Sequence, residues 1–207
     1  MLFYIFYVLL WTMIPCAIFQ MFMSSYQKKR GKVISAKHII WVYIFVLYIT
    51  LVYSVTGIPS ISEIAGYKFV SLANEINIQP FASGGLFTYI TNIIMFMPFG
   101  FLLPLIWKPY SSLRKITITA LVFSFAIELS QLFNNRLSDI DDLIMNTLGA
   151  IIGYIIFYVF NKYILKNGNV SEEESRDVIK TNFLVRFEAI LYLICSAIGV
   201  LFMYTPY

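Results

Sequence analysis

The sequence predicts an all-α fold: a polytopic helical membrane bundle of six transmembrane helices, with the N- and C-termini outside. Three observations predict it. The 207 residues are 59% hydrophobic and only 13% charged, with a mean hydropathy of +0.77. A soluble domain of this length faces too much water to hide that apolar surface. Six apolar runs approach the ~20 residues that a helix needs to cross a bilayer, and the lysines and arginines fall into two unequal sets between those runs. A bilayer offers no water to unpaired backbone groups, and runs of this length and composition do not read as barrel strands, so all six are helices.

The first span runs from Leu2 to Met23. No basic residue precedes it and Lys28, Lys29, Arg30 and Lys32 follow, which is the pattern of a retained helix with its N-terminus outside rather than of a cleavable signal. The second runs from His38 to Thr56, with His38 as an interfacial helix-end residue. An external loop over 57–86 contains short apolar pieces (FVSL, INIQPF, GGLF) that suit a segment folded back onto the outer membrane surface. The third span, Phe87 to Trp107, carries Pro98 and Gly100, which predict a kink. The fourth, Ile116 to Phe133, is the shortest and contains Glu128. The fifth, Leu143 to Leu165, presents Gly149 and Gly153 four residues apart, a small-residue face for close helix approach. A polar linker, NGNVSEEESRDVIKTN, follows, in which Ser171 and Glu174 fit a capping box. The sixth span runs from Leu184 to Tyr204.

All but two of the 15 lysines and arginines then lie in or beside the first, third and fifth loops, the exceptions being Lys68 and Arg136. Basic residues mark the cytoplasmic side. An odd number of spans would mix the two sets, so the count is even. Cys16 and Cys195 lie inside apolar runs and read as small buried hydrophobes without a disulfide. The net charge of +4 does not indicate nucleic acid, because the basic residues are not gathered with aromatics on one soluble face.

The stretch ELSQLFNNRLSDIDDLIMNTLGA, from Glu128 to Ala150, is the anomaly. In this topology Asn92 lies roughly 8 Å below the outer end of the third span, Glu128 lies at a similar depth in the fourth, and Asn146 about a turn deep in the fifth. Gln131 shares the face of Glu128, and Asp139, Asp142 and Asn146 form a stripe on the fifth helix. Ser138 reads as the N-cap of that helix, with acids in its first turn favoured by the helix dipole. Asp141 reads as such a first-turn acid and nothing more. Arg136, one of the two outer basic residues, has the fork geometry to pair with Glu128, Asp139 or Asp142. Asn92, Glu128, Gln131, Arg136, Asp139, Asp142 and Asn146 are therefore the candidate ligand-binding residues. Glu128 is the strongest of them, since a charge inside a span costs about 2.5–3.5 kcal/mol at the bilayer centre.

Asn92 followed by Pro98, Phe99 and Gly100, then Glu128 and Gln131, then Arg136, Asp139, Asp142, Asn146 and Gly149 resembles the VanZ-like family of membrane proteins. Asn77, Pro80 and Phe81 resemble its N-x-x-P-F element, although Gln79 stands where that family usually has isoleucine and Glu75 where an arginine is frequent. The likeness covers roughly 38–165. It divides the chain into a first helix and basic loop (1–37), a family core of four helices with the external loop (38–165), and a linker with the last helix (166–207). It implies a multi-pass protein of the cell membrane of Gram-positive bacteria, linked to lowered susceptibility to glycopeptide and lipoglycopeptide antibiotics such as teicoplanin.

Two readings of the strip follow. In the first, an outward-facing polar cleft binds a surface or lipid-borne ligand, with Arg136 on an anionic group. The lipid bilayer is the first partner, and a lipid-linked cell-wall precursor or the glycopeptide itself are the candidate ligands. In the second, the protein is a membrane-embedded enzyme acting on a lipid headgroup or precursor, with Glu128 as acid or base and Arg136 stabilising developing charge. Glu128, Asp139 and Asp142 are oxygen ligands suited to Mg²⁺ or Ca²⁺, but neither a metal nor a cofactor is assigned. A transporter ranks last, because no charge continues the path into the inner half of a core helix.

Overall fold

The computed structural model describes residues 2–66, 76–77, 79–81, 85–133, 138–163 and 183–203. Arg136, the linker over 167–182 with its Ser171–Glu174 box, and most of the external loop lie outside them. The described chain is helical, apart from one two-residue strand pairing. In order come α1 (Leu2–Lys29), α2 (Ala36–Thr56), α3 (Ile61–Gly66), β1 (Ile76–Asn77) and α4 (Leu86–Ile106). A 3-10 turn (Lys108–Tyr110) leads to α5 (Leu113–Gln131), β2 (Ser138–Asp139), α6 (Ile140–Tyr163), α7 (Phe183–Arg186) and α8 (Glu188–Leu201).

Four segments are long and apolar enough to cross a membrane: Phe6–Lys29 of α1, Ala36–Ala65 (α2 with most of α3), Leu86–Ile106 and Ile140–Tyr163. The fourth expected span forms as α5, but Arg114, Lys115 and Glu128 dilute its 19 residues. The sixth expected span breaks at Phe187 into α7 and the 14-residue α8. At about 1.5 Å per residue, α8 covers roughly 21 Å, less than a ~30 Å hydrocarbon core.

Local sequence sets the helix ends. Lys28 and Lys29 occupy the last turn of α1, where the dipole favours cations. Ser35 caps α2, its hydroxyl accepting the His38 N–H at 3.2 Å. Gly57 ends α2 in the left-handed region at φ 66°, which glycine adopts without strain. Ser60 and Glu63 form a reciprocal capping box ahead of α3.

The chain divides into two compact units, Met1–Lys68 with Glu188–Tyr207, and Phe69–Phe187. In the first, α1, α2 and α8 pack together. Gly199 lets α8 lie against the backbone of Trp11 and Thr12, since a β-carbon there would overlap the Trp11 carbonyl. Hydroxyls bridge the helices: Thr12 to Thr50 at 2.8 Å, and Tyr53 to Ser196 at 3.3 Å. Tyr192 donates to Gln20 and sets its ring edge-on to Phe19. His38 pairs with Glu188 at 3.1 Å, so the expected interfacial histidine has a buried carboxylate as partner. Cys16 and Cys195 are both free thiols.

In the second unit, α4 and α6 meet backbone to backbone. Gly149 faces the Ile93 carbonyl, Gly153 that of Met97, and Gly100 that of Ala150; a β-carbon at any of the three would overlap. The small-residue face expected at Gly149 and Gly153 is therefore the seam of this unit, and Gly100 completes it from α4. Helix α4 runs on through Pro98 and Pro104. Beside the seam, Phe99 and Phe123 stack with centroids 5.1 Å apart, and Phe96 tilts against both.

Candidate polar site at one end of the second unit

The start of α4, the end of α5 and the start of α6 lie together, and the polar strip occupies that end. Strands β1 and β2 pair in parallel, Ile76 with Ser138 and Asn77 with Asp139. This ties a piece of the loop between α3 and α4 to the approach of α6. Glu128 reaches the same segment: its Oε2 accepts the Asp139 N–H at 3.0 Å, and Glu128 is only 5% exposed. The Asp139 carboxylate accepts the Asp141 N–H at 3.0 Å, and the Asn77 amide at 3.4 Å. Asp139 is thus the residue that caps α6, one position after the expected Ser138. The chain is still extended in β2 through Asp139, so the helix starts a residue later.

Asp141 lies in the first turn of α6 as expected, and it also bonds outside its own helix. It is 0% exposed, and both its oxygens are used. Oδ1 accepts the Phe81 N–H at 2.7 Å and Oδ2 accepts the Tyr89 hydroxyl at 2.8 Å. Adjacent helical residues point about 100° apart, so Asp141 turns toward the loop and α4 while Asp142 faces a different partner. The Asn92 amide donates to Asp142 Oδ1 at 2.6 Å. Asp142 also feels the like charges of Asp139 and Asp141.

One turn below Asp142, Asn146 is 2% exposed and donates to Ser124 Oγ at 2.9 Å. Its Oδ1 is buried with no hydrogen-bond partner among the described residues. Gln131 is buried at the last residue of α5, three after Glu128.

The structure therefore joins Asn92 to Asp142, Glu128 to Asp139, and Asn146 to α5, and places Gln131 at the same end. Arg136 lies outside the described residues. Sequence reasoning missed Asp141, Tyr89 and Ser124 as members. Ser124 was findable, since it sits four residues before Glu128 on one helix face. Tyr89 and the role of Asp141 were not, because they depend on where the external loop lands. Among the described residues no three His, Cys, Asp or Glu are grouped as metal ligands.

The family model described as VanZ/LLP1 matches residues 45–161, more than half of the chain. The curated Protein VanZ of Enterococcus faecium is 35% identical over 104 residues, 47% of this chain and 64% of that protein. The chain thus spans less than two thirds of that relative's length. No solved structure matches.

Proposed function

The chain belongs to the VanZ/LLP1 family, and from that premise we propose that it lowers susceptibility to teicoplanin-type glycopeptides through the polar cluster at the ends of α4, α5 and α6. In this reading it is a six-span protein of the cell membrane with both termini outside, the basic loops face the cytoplasm, and the cluster faces out. Residues 38–165 form the working core, flanked by 1–37 and 166–207. Glycopeptides act on cell-wall precursors outside the membrane, so an outward cluster is on the correct side to meet either drug or precursor.

The observation that carries the proposal is the burial of carboxylates near the ends of three apolar helices. Glu128 and Asp141 are 5% and 0% exposed, and carboxylates placed in apolar helices are costly and mark candidate functional sites. Asn92 and Glu128 hold Asp142 and the Asp139 backbone in register. The buried Asn146 Oδ1 offers an acceptor to a ligand hydroxyl or amine. Arg136 supplies the charge for an anionic group, and Gln131 a further amide. The ligand is a surface-bound or lipid-linked cell-wall precursor, or the glycopeptide itself.

The test compares wild type, Glu128→Gln and Arg136→Ala in Gram-positive cells at matched membrane levels, scoring susceptibility and bound labelled teicoplanin against vancomycin. Wild type is expected to reduce bound teicoplanin, and either substitution to abolish the reduction. Protection by both variants equal to wild type would remove the cluster from function. No effect of the wild type would end the resistance reading for this chain.

A further inference from the structure

Phe81 sits in the external loop with its backbone in the left-handed region, at φ 61°, a conformation that few non-glycine residues adopt. The Asp141 carboxylate holds its N–H at 2.7 Å, so the backbone is tied down while the side chain is left out. The ring is 64% exposed and meets the edge of Tyr89 at 6.0 Å. A single exposed apolar ring is ordinary; an apolar patch beside it is what gives it a non-aqueous neighbour.

The surface beside it supplies one. Along α4, Ile94, Ile90, Phe87 and Leu86 are 59%, 46%, 80% and 75% exposed. Ile90 lies four residues from both Leu86 and Ile94 and three from Phe87, so the four make one stripe up the helix. Helix α4 is among those long and apolar enough to cross a membrane, so this stripe is its lipid-facing side. Tyr89, which carries the Phe81 ring, lies three residues from Leu86, next to the top of that stripe. The Phe81–Tyr89 ring contact therefore brings the loop's aromatic within one helical turn of that stripe. Aromatic residues favour this level of a bilayer, the boundary between acyl chains and headgroups.

We propose that Phe81 is a membrane wedge: its ring inserts among the lipids of the leaflet that α4 enters, pinned from behind by Asp141. The occupant of the surface is lipid, continuous with the lipid around α4. It follows that the polar cluster at Asp139, Asp141 and Asp142 opens at headgroup level, toward a ligand carried by the bilayer rather than one free in water. This last step rests on the cluster being a binding site; the wedge itself does not.

Spin labels decide the matter. In the full chain with Cys16→Ala and Cys195→Ala, Phe81→Cys and, separately, Phe87→Cys are labelled and reconstituted in phosphatidylglycerol–phosphatidylethanolamine vesicles. Collision with oxygen, which concentrates in the bilayer, is compared with collision with a nickel chelate, which stays in water. Phe81→Cys keeps the N–H that binds Asp141, so the loop's tie survives the substitution. Oxygen collision exceeding chelate collision at both positions is the expected result. A label at 81 reached by the chelate, with 87 still in lipid, overturns the wedge. Labels reached by the chelate at both positions overturn it together with the spanning assignment of α4. Exclusion of both reagents at 81, with spin–spin broadening, overturns it in favour of a second copy of the chain covering the ring. Drug susceptibility plays no part in the readout, so the wedge and the resistance reading fail separately.

Discussion

The two units of this chain spend polarity differently. In the first, neutral hydroxyls meet between helices: Thr12 with Thr50, Tyr53 with Ser196, Tyr192 with Gln20. Such pairs act as interhelical glue, each worth about 0.6 kcal/mol, because lipid gives helices no hydrophobic reason to associate. In the second, glycine carries more of the cohesion, with three positions on one seam against Gly199 in the first. Gly100, Gly149 and Gly153 bring α4 and α6 into backbone contact, and dispersion between closely packed surfaces does the work that hydroxyls do in the first unit. The second unit's carboxylates add bonds from the start of α6 to Tyr89 and Asn92 of α4 and to the loop at Phe81. They gather at one end, where they fasten a loop and each other. Polarity spread through a bundle is structural; polarity concentrated beside an already tight seam is available for function.

Breaking the seam tests this contrast most severely. Gly153→Leu forces a side chain into the Met97 backbone and is expected to cost more than about 3 kcal/mol. Loss of the folded fraction in detergent, followed by size exclusion and by denaturation in mixed micelles, is the readout. Near-wild-type stability would mean that the seam is not what holds this unit.

Asp141→Ala comes next. It strands the Phe81 N–H and the Tyr89 hydroxyl, and a destabilisation of about 2–3 kcal/mol is expected, with faster proteolysis of the external loop. Asp142→Ala removes one neutral partner, Asn92, from a half-buried site, and about 1–2 kcal/mol is expected without loop cleavage. Equal proteolysis in the two variants would erase the distinction between a loop-fastening acid and a helix-facing one.

In the first unit the effects are smaller. His38→Ala is expected to cost about 1 kcal/mol, because its ring is partly exposed beside Glu188. A salt-dependent loss in wild type that vanishes in this variant would identify the pair. Thr50→Val keeps the shape and removes the bridge to Thr12, for about 0.6 kcal/mol. A cost above about 2 kcal/mol there would mean that the first unit depends on its hydroxyls far more than glue implies.

How much of this was legible in sequence differs by level. Helix positions followed from apolar runs, and their ends shifted mainly where a cap intervened, as Ser35 does before α2. The last expected span, Leu184 to Tyr204, is divided into α7 and α8, because composition alone does not show the turn at Phe187. The close approach at Gly149 and Gly153 was readable from spacing, since only small residues permit it. Its partner Gly100 was read as part of a kink, because nothing in a linear sequence tells which backbone comes near. Asn92, Glu128, Gln131, Asp139, Asp142 and Asn146 were all found as a group, for charge and amide in an apolar chain are conspicuous.

What the sequence by itself determined is the class of protein, the family, and the layer in which polar residues collect, because hydropathy and helical periodicity act along the chain. Which residue does what within that layer was decided by tertiary structure. Asp141 and Asp142 are chemically identical neighbours in one helical turn. Their different fates, one fully buried beneath the loop and one paired with Asn92, follow from the roughly 100° between successive side chains and from where the loop and α4 happen to lie.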